Sequence, residues 1–259
     1  MLLNGLEMDL TDSGEGVPIV LLHGLALEKS IWSPMVRAYS SQARFITPDL
    51  RGHGKTSVGQ ADGTLGQIAG DLLALLDALD LPKVCLLGHS MGGYIALEFA
   101  ARYPQRLASL VLLTSNIRVD APEKQRSRLE DAQKVLNGGV PAFAAGMASR
   151  LTRDPFLADQ LRTQMEAIDP AGLSNILIAI ANRPDQQALV PKLEVPVLAI
   201  AGADDQNSAP AFALEAADLA ARGHKVVLPG VGHMPMLENP LALGAAIMSF
   251  QEVCHESQA

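Results

Sequence analysis

Two kinds of segment alternate along this chain. Short, continuous apolar runs rich in strand formers occupy residues 17–22, 43–47, 83–87, 107–113, 195–201 and 225–228. Between them lie segments whose apolar residues recur at helical spacing, such as Leu65 to Leu79 and Tyr94 to Arg102. Continuous apolar runs indicate strands buried on both faces, and strands that alternate with helices predict a doubly wound, mostly parallel α/β sheet.

Two further segments complete the predicted architecture. Residues Leu2 to Leu10 alternate loosely between apolar and polar and predict an antiparallel edge hairpin, which gives an eight-stranded sheet. From about Ile117 to Val190, charged and apolar residues mix at helical spacing, with breaks at Asp154-Pro155 and Asp169-Pro170 and no strand signal. We therefore expect a core of residues 1–116 and 191–259 and an inserted helical cap of residues 117–190.

Composition excludes several classes of protein. A length of 259 residues fits one α/β domain with an inserted subdomain, and a net charge of −8 argues against a nucleic-acid partner. Cys85 and Cys254, the only cysteines, do not suggest a disulfide, which favours a reducing compartment. Residues 1–13 lack the pattern of a signal peptide, and no apolar run approaches membrane-spanning length. We expect a soluble, cytoplasmic protein without a membrane partner.

Candidate chemistry begins at Gly88-His89-Ser90-Met91-Gly92, where a predicted strand turns into a predicted helix. Such a turn forces its central residue into a strained conformation, and the flanking glycines remove side chains that would collide there. The Ser90 hydroxyl is then exposed at the carboxyl edge of the sheet, beside a helix N-terminus that favours a developing negative charge. This pattern predicts a nucleophilic serine.

A serine hydroxyl needs a base within hydrogen-bond reach, and histidine suits this because its pKa lies near neutrality. Of the six histidines, His233 is the best candidate, because its glycine-flanked loop follows the last predicted strand at the same edge. A carboxylate must then orient the imidazole. The loop after the preceding strand offers Asp204 and Asp205, which chemistry alone does not separate.

The chain resembles the α/β-hydrolase superfamily over essentially its full length. The matching stretches are His23-Gly24, Arg51-Gly52-His53-Gly54, Gly88 to Gly93, Gly202 to Asp205, and Gly232-His233 through Pro240. This resemblance selects Asp205 as the acid and implies an oxyanion hole formed by the backbone N–H groups of Leu25 and Met91. It also implies catalysis without a metal or an organic cofactor. The spacing from Asp205 to Pro210 is one residue longer than the family pattern.

The resemblance implies a serine carboxylesterase or enol-lactonase-like hydrolase that acts on a small ester or lactone through an acyl-enzyme. Thioesterase, C–C bond hydrolase and cofactor-free perhydrolase activities remain open, as does the oligomeric state. A hydrolase-fold ligand-binding receptor is an alternative of another class. Candidate substrate-binding residues are His23, Trp32, Phe143 and Met147, although each has an ordinary packing role as its alternative. Arg118 and Arg150 are candidates to meet an anionic substrate, or are simply solvated.

Overall fold

The computed structural model describes residues 1–3, 5–59 and 63–256. The strands, in chain order, are β1 (Leu2–Leu3), β2 (Leu6–Glu7), β3 (Leu10–Ser13), β4 (Pro18–Leu22), β5 (Arg44–Pro48), β6 (Val84–His89), β7 (Leu107–Leu113), β8 (Val197–Gly202) and β9 (Gly223–Leu228). The α-helices are α1 (Ser33–Tyr39), α2 (Leu65–Ala78), α3 (Met91–Arg102), α4 (Pro122–Lys134), α5 (Val140–Leu151), α6 (Pro155–Glu166), α7 (Pro170–Ala181), α8 (Pro210–Leu219), α9 (Pro235–Glu238) and α10 (Pro240–Glu256). Short 3-10 turns lie at Lys29–Trp32, Pro104–Arg106 and Val190–Lys192, and one π turn lies at Val135–Gly139.

The main sheet has the strand order β3-β5-β4-β6-β7-β8-β9. Only β3 runs antiparallel to its neighbour; the remaining strand pairs are parallel. Every residue of β6 and of β8 is buried, as their continuous apolar character predicts. The predicted fold class is therefore confirmed, with the carboxyl ends of the parallel strands at one edge.

The strand count differs from the prediction. Within the described residues the main sheet has seven strands rather than eight, because β1 and β2 form a separate two-stranded sheet. These strands are two residues each, and they pair only with each other, Leu2 with Glu7 and Leu3 with Leu6. The predicted hairpin exists, but it closes on itself, and the main sheet takes its antiparallel edge strand from the next segment, β3.

Helices α4 to α7 follow β7 and precede β8, in the segment expected to form the cap. The predicted breaks are helix starts: Asp154 and Asp169 accept hydrogen bonds from the first backbone N–H groups of α6 and α7, and a proline follows each. The cap limits of 117 and 190 stay a prediction.

A buried ion pair joins the two ends of this helical segment. Arg183, after α7, donates to both carboxylate oxygens of Asp120, before α4, at 2.9 and 3.0 Å. Both side chains are 4% exposed. The pair links the entry and the exit of the four helices, and breaking it would leave a buried charge without its partner.

Among the described residues, no helix has both the length and the apolar character needed to cross a membrane.

Candidate active site

Ser90 lies between the end of β6 and the start of α3, with φ 52° and ψ −113°. A positive φ is strained for a residue with a side chain. The flanking glycines make the turn possible: a Cβ on Gly88 would lie 2.3 Å from the backbone of Gly92, and one on Gly92 would lie 2.5 Å from the carbonyl oxygen of Leu22. The chain therefore presents Ser90 at the sheet edge in the strained turn that the sequence predicts.

A cavity of about 300 Å³ lies between this edge and the helical segment. Its lining includes Ser90 and Met91 of the turn, Leu25 of the loop after β4, and His233 of the loop after β9. From the helical segment come Lys124, Ser127, Arg128, Asp131, Phe143, Met147, Arg150, Leu177 and Ile180. The volume lies at the small end of the range for ligand sites, which suits a small substrate.

His233 and Asp205 form a buried pair. The His233 Nδ1 lies 2.7 Å from Asp205 Oδ2, and both side chains are 1% exposed. The other carboxylate oxygen, Oδ1, accepts the backbone N–H groups of Asn207 and Ser208 at 2.8 and 3.0 Å. Nδ1 must carry the proton in this pair, because an ionised carboxylate only accepts hydrogen bonds. The Nε2 atom of His233 is then left unprotonated and able to act as a base.

Asp204 does not take part in this pair. Its side chain is exposed, and its backbone N–H donates to the carbonyl oxygen of Val231. The structure thus brings Asp205, rather than its neighbour, to the imidazole, in agreement with the choice that the family resemblance made.

Asn207 is a site residue that the sequence reasoning did not single out. Its Nδ2 lies 3.1 Å from His233 Nε2, the atom that a nucleophilic serine needs as its acceptor. Within the described chain, the Ser90 hydroxyl makes no hydrogen bond of its own. The extra residue between Asp205 and Pro210 was the available signal, since it enlarges the loop that carries Asn207.

His89 bonds to the backbone of the loop that carries His233. The His89 Nε2–H donates to the carbonyl oxygen of His233 at 2.9 Å, and the two rings lie 5.1 Å apart. Burial lowers the pKa of His89 to about 3, so the ring is neutral at physiological pH. Glu238 accepts a hydrogen bond from the N–H of Gly232 at 2.5 Å, in the same loop. These two residues position the imidazole.

The structure does not bring His23 and Trp32 to the cavity. Both are fully buried. His23 accepts the N–H of Leu50 on Nε2 at 2.9 Å and donates from Nδ1 to the carbonyl of Gly24, so it ties together the loops after β4 and β5. Burial holds its pKa well below the usual value. Trp32 packs edge-on against His89. Of the four candidate substrate-binding residues, Phe143 and Met147 line the cavity.

The two backbone N–H groups expected to form the oxyanion hole belong to residues that line the cavity with Ser90. In residues 1–3, 5–59 and 63–256, neither the N–H of Leu25 nor that of Met91 donates to a backbone or side-chain acceptor. The first N–H groups of a helix have no acceptor within the helix, which explains the free donor of Met91 at the start of α3. Both donors are therefore available to a ligand.

A family model described as "Alpha/beta hydrolase family" matches residues 19–246. The chain belongs to this family. Among solved structures, it is similar to a thermophilic esterase from Thermogutta terrifontis with malate bound, at 33% identity and a TM-score of 0.92, over 96% of this chain and 94% of that one. It is also similar to the enol-lactonase from Burkholderia xenovorans, at 29% identity and a TM-score of 0.88, over 97% and 99%. A further relative is 3-oxoadipate enol-lactonase 1 of Acinetobacter baylyi, 30% identical over 72% of this chain and 71% of that protein.

In this α/β hydrolase the site therefore combines four elements at one cavity: a strained serine, a buried imidazole–carboxylate pair, two free backbone donors and an apolar patch from the helical segment. These are the elements that acyl transfer to a serine needs. Among the described residues, no group of three or more histidine, cysteine, aspartate or glutamate side chains is arranged to hold a metal ion.

Proposed function

We propose that this α/β hydrolase cleaves carboxylic esters through an acyl-enzyme on Ser90, with His233 as the base and Asp205 as the acid behind it. The observation that carries the proposal is the buried His233–Asp205 pair, at 2.7 Å, whose imidazole lines the same cavity as Ser90. An imidazole fixed in this tautomer can accept the serine proton on Nε2 as the oxygen attacks the carbonyl carbon.

The steps follow from this arrangement. The Asn207 amide leaves Nε2 of His233, and the Ser90 hydroxyl takes its place. As the serine oxygen bonds to the carbonyl carbon, the carbonyl oxygen becomes an oxyanion and accepts the N–H groups of Leu25 and Met91, each worth on the order of 3 kcal/mol in the transition state. His233 then protonates the leaving alcohol. In the second half of the reaction, His233 takes a proton from water as the water oxygen attacks the acyl-enzyme, and it returns that proton to the Ser90 oxygen as the acid leaves.

Enol-lactone hydrolysis is the second candidate function. Two of the relatives are named as enol-lactonases, and the Thermogutta relative is named as an esterase. Both reactions use the same acyl-enzyme chemistry, and they differ in whether the leaving group stays attached to the acyl chain. A comparison of kcat/KM for open-chain esters and for enol-lactones of equal carbon number separates them.

Ser90→Ala tests the proposal. The substitution removes the attacking oxygen from a half-buried position, so hydrolysis of p-nitrophenyl acetate and butyrate should fall to the background rate while the circular dichroism spectrum is unchanged. Ser149→Ala is the matched control, because Ser149 lies exposed on α5, where its hydroxyl bonds to the carbonyl of Gly146. A Ser90→Ala enzyme that keeps the wild-type rate would overturn the assignment.

A further inference from the structure

The wall of the cavity that the helical segment contributes carries a surplus of positive charge. Lys124 and Arg128 of α4 and Arg150 of α5 line it, against one lining carboxylate, Asp131. Among the residues that the structure describes, the sheet side of the cavity adds no acidic side chain. This surplus occurs in a chain whose net charge is −8. The lining of the cavity is therefore positively charged, although the chain as a whole is negatively charged.

The nearby carboxylates, Asp120 and Asp131, leave most of this positive charge without a partner. Asp120 is the shared partner of Arg128 at 2.5 Å, of Arg183 at 2.9 Å and of Lys124 at 3.8 Å, so one carboxylate faces three cations. Asp131, the lining carboxylate, pairs with Lys134, at 3.5 Å. Its charge is therefore partly engaged outside the cavity.

Arg150 has no acidic partner at all within the described chain. Its guanidinium donates from Nη2 to the sulfur of Met147, at 3.7 Å, and its side chain is exposed at the cavity wall. A guanidinium presents donors in a planar fork that matches the two oxygens of a carboxylate. A free arginine on the cavity wall is thus an open site for such a group.

The cations also repel one another. The pKa of Lys124 is lowered, first because the residue is partly desolvated and next because of the charge of Arg128, with Arg183 and Arg150 contributing further. An anion bound between Lys124 and Arg150 would relieve this repulsion.

We propose that Lys124 and Arg150 bind a free carboxylate of the substrate, so that the preferred substrates are esters or lactones that carry a second, ionised acid group. Arg128, tied to Asp120, adds to the positive potential at the site. This inference rests on the proposed function, because the carboxylate is taken to sit in the cavity where Ser90 attacks the ester. It narrows that function from esters in general to half-esters of dicarboxylic acids and related lactones.

Matched pairs of esters test the inference. Monomethyl adipate and methyl hexanoate differ by a carboxylate in place of a terminal methyl group, and carboxymethyl butanoate and ethyl butanoate place the same contrast on the alcohol side. For at least one pair, kcat/KM should favour the anionic ester by about tenfold or more, which corresponds to about 1.4 kcal/mol. The preference should shrink as salt is added, because the charges are partly exposed to solvent.

Two variants assign the preference to residues. Arg150→Gln and Lys124→Gln should each reduce the anionic-to-neutral ratio several-fold. Arg126→Gln is the control, since Arg126 lies on the same helix α4, is 66% exposed and does not line the cavity; both the ratio and the rates should stay at wild type. Both test variants should fold, because Asp120 keeps its two closer partners, Arg128 and Arg183, when Lys124 is replaced, and Arg150 has no carboxylate partner within the described chain.

The outcomes separate this inference from the proposed function. If the neutral ester of each pair is cleaved as fast as the anionic one, or if both variants keep the wild-type ratio, the carboxylate site is refuted while ester hydrolysis stands. If neither ester of any pair is cleaved and a fluorophosphonate does not label Ser90, the proposed function itself fails.

Discussion

Asp205→Asn changes one oxygen of the buried pair to an amide nitrogen and should separate the roles of the two adjacent aspartates. Oδ1 of Asp205 accepts two backbone N–H groups, from Asn207 and Ser208, at 2.8 and 3.0 Å. The new NH₂ cannot face these donors, so it must turn toward His233. There it donates to Nδ1, which forces the imidazole proton onto Nε2.

The expected loss follows from that change of tautomer. With a proton on Nε2, the ring of His233 no longer accepts the serine proton, and the corresponding change in a serine protease triad lowers kcat on the order of 10⁴-fold, or about 5.4 kcal/mol. We expect a similar loss here. The two backbone hydrogen bonds to Oδ1 survive the substitution, so the loop should keep its shape.

The assay is steady-state hydrolysis of p-nitrophenyl butyrate, with thermal unfolding followed in parallel. Asp204→Asn is the matched control, because Asp204 is the adjacent residue and its side chain is exposed. It should stay within a few-fold of the wild-type rate. If Asp204→Asn loses more activity than Asp205→Asn, or if the Asp205→Asn enzyme keeps nearly the wild-type rate, Asp205 is not the acid behind His233.

Three further predictions concern other contacts. Asn207→Ala should raise the rate of fluorophosphonate labelling by about two- to tenfold. The hydrogen bond from the Asn207 side-chain amide to His233 Nε2 must break before Ser90 attacks, and a neutral hydrogen bond contributes about 0.5–1.5 kcal/mol. A slower labelling rate would contradict the view that this hydrogen bond stabilises the resting enzyme. Asp120→Ala should lower the free energy of unfolding by about 3–5 kcal/mol, measured with urea, because Arg183 is left buried without its carboxylate; a change below about 1 kcal/mol would contradict this. Burial lowers the pKa of His53 to about 4, so its neutral form adds stability that is complete above the unfolded pKa of about 6.5 and is lost as the pH falls toward 4. His53→Asn should therefore flatten the decline of unfolding free energy between about pH 6.5 and 5, and an unchanged slope would contradict that role.

The sheet was predictable because its strands are continuous apolar runs between helices, a pattern that depends on burial alone. Its edge was not, because two-residue strands such as β1 and β2 carry too few side chains for a pattern to choose their partner. The last helix, α10, continues to Glu256, because Phe250 and Cys254 are buried against the core.

The site was predictable to the extent that loops at one sheet edge must meet. Ser90 and His233 follow from that topology, and only the resemblance chose Asp205. The longer loop after Asp205 was the one signal for Asn207, and the contact that His89 makes had none, because both contacts depend on side-chain direction. His23 shows the opposite case: it precedes Leu25 in the loop after β4, but both of its ring nitrogens bond to the backbone and it does not line the cavity.

Acyl transfer to Ser90 can be tested by trapping the covalent intermediate. Wild-type enzyme mixed with p-nitrophenyl acetate and quenched with acid in the pre-steady state should gain the mass of one acetyl group, and peptide mapping should locate it on Ser90. The Ser90→Ala enzyme should gain none. An acetyl group on another residue, or turnover by the wild-type enzyme with no acylated protein at any time, would contradict acyl transfer through Ser90.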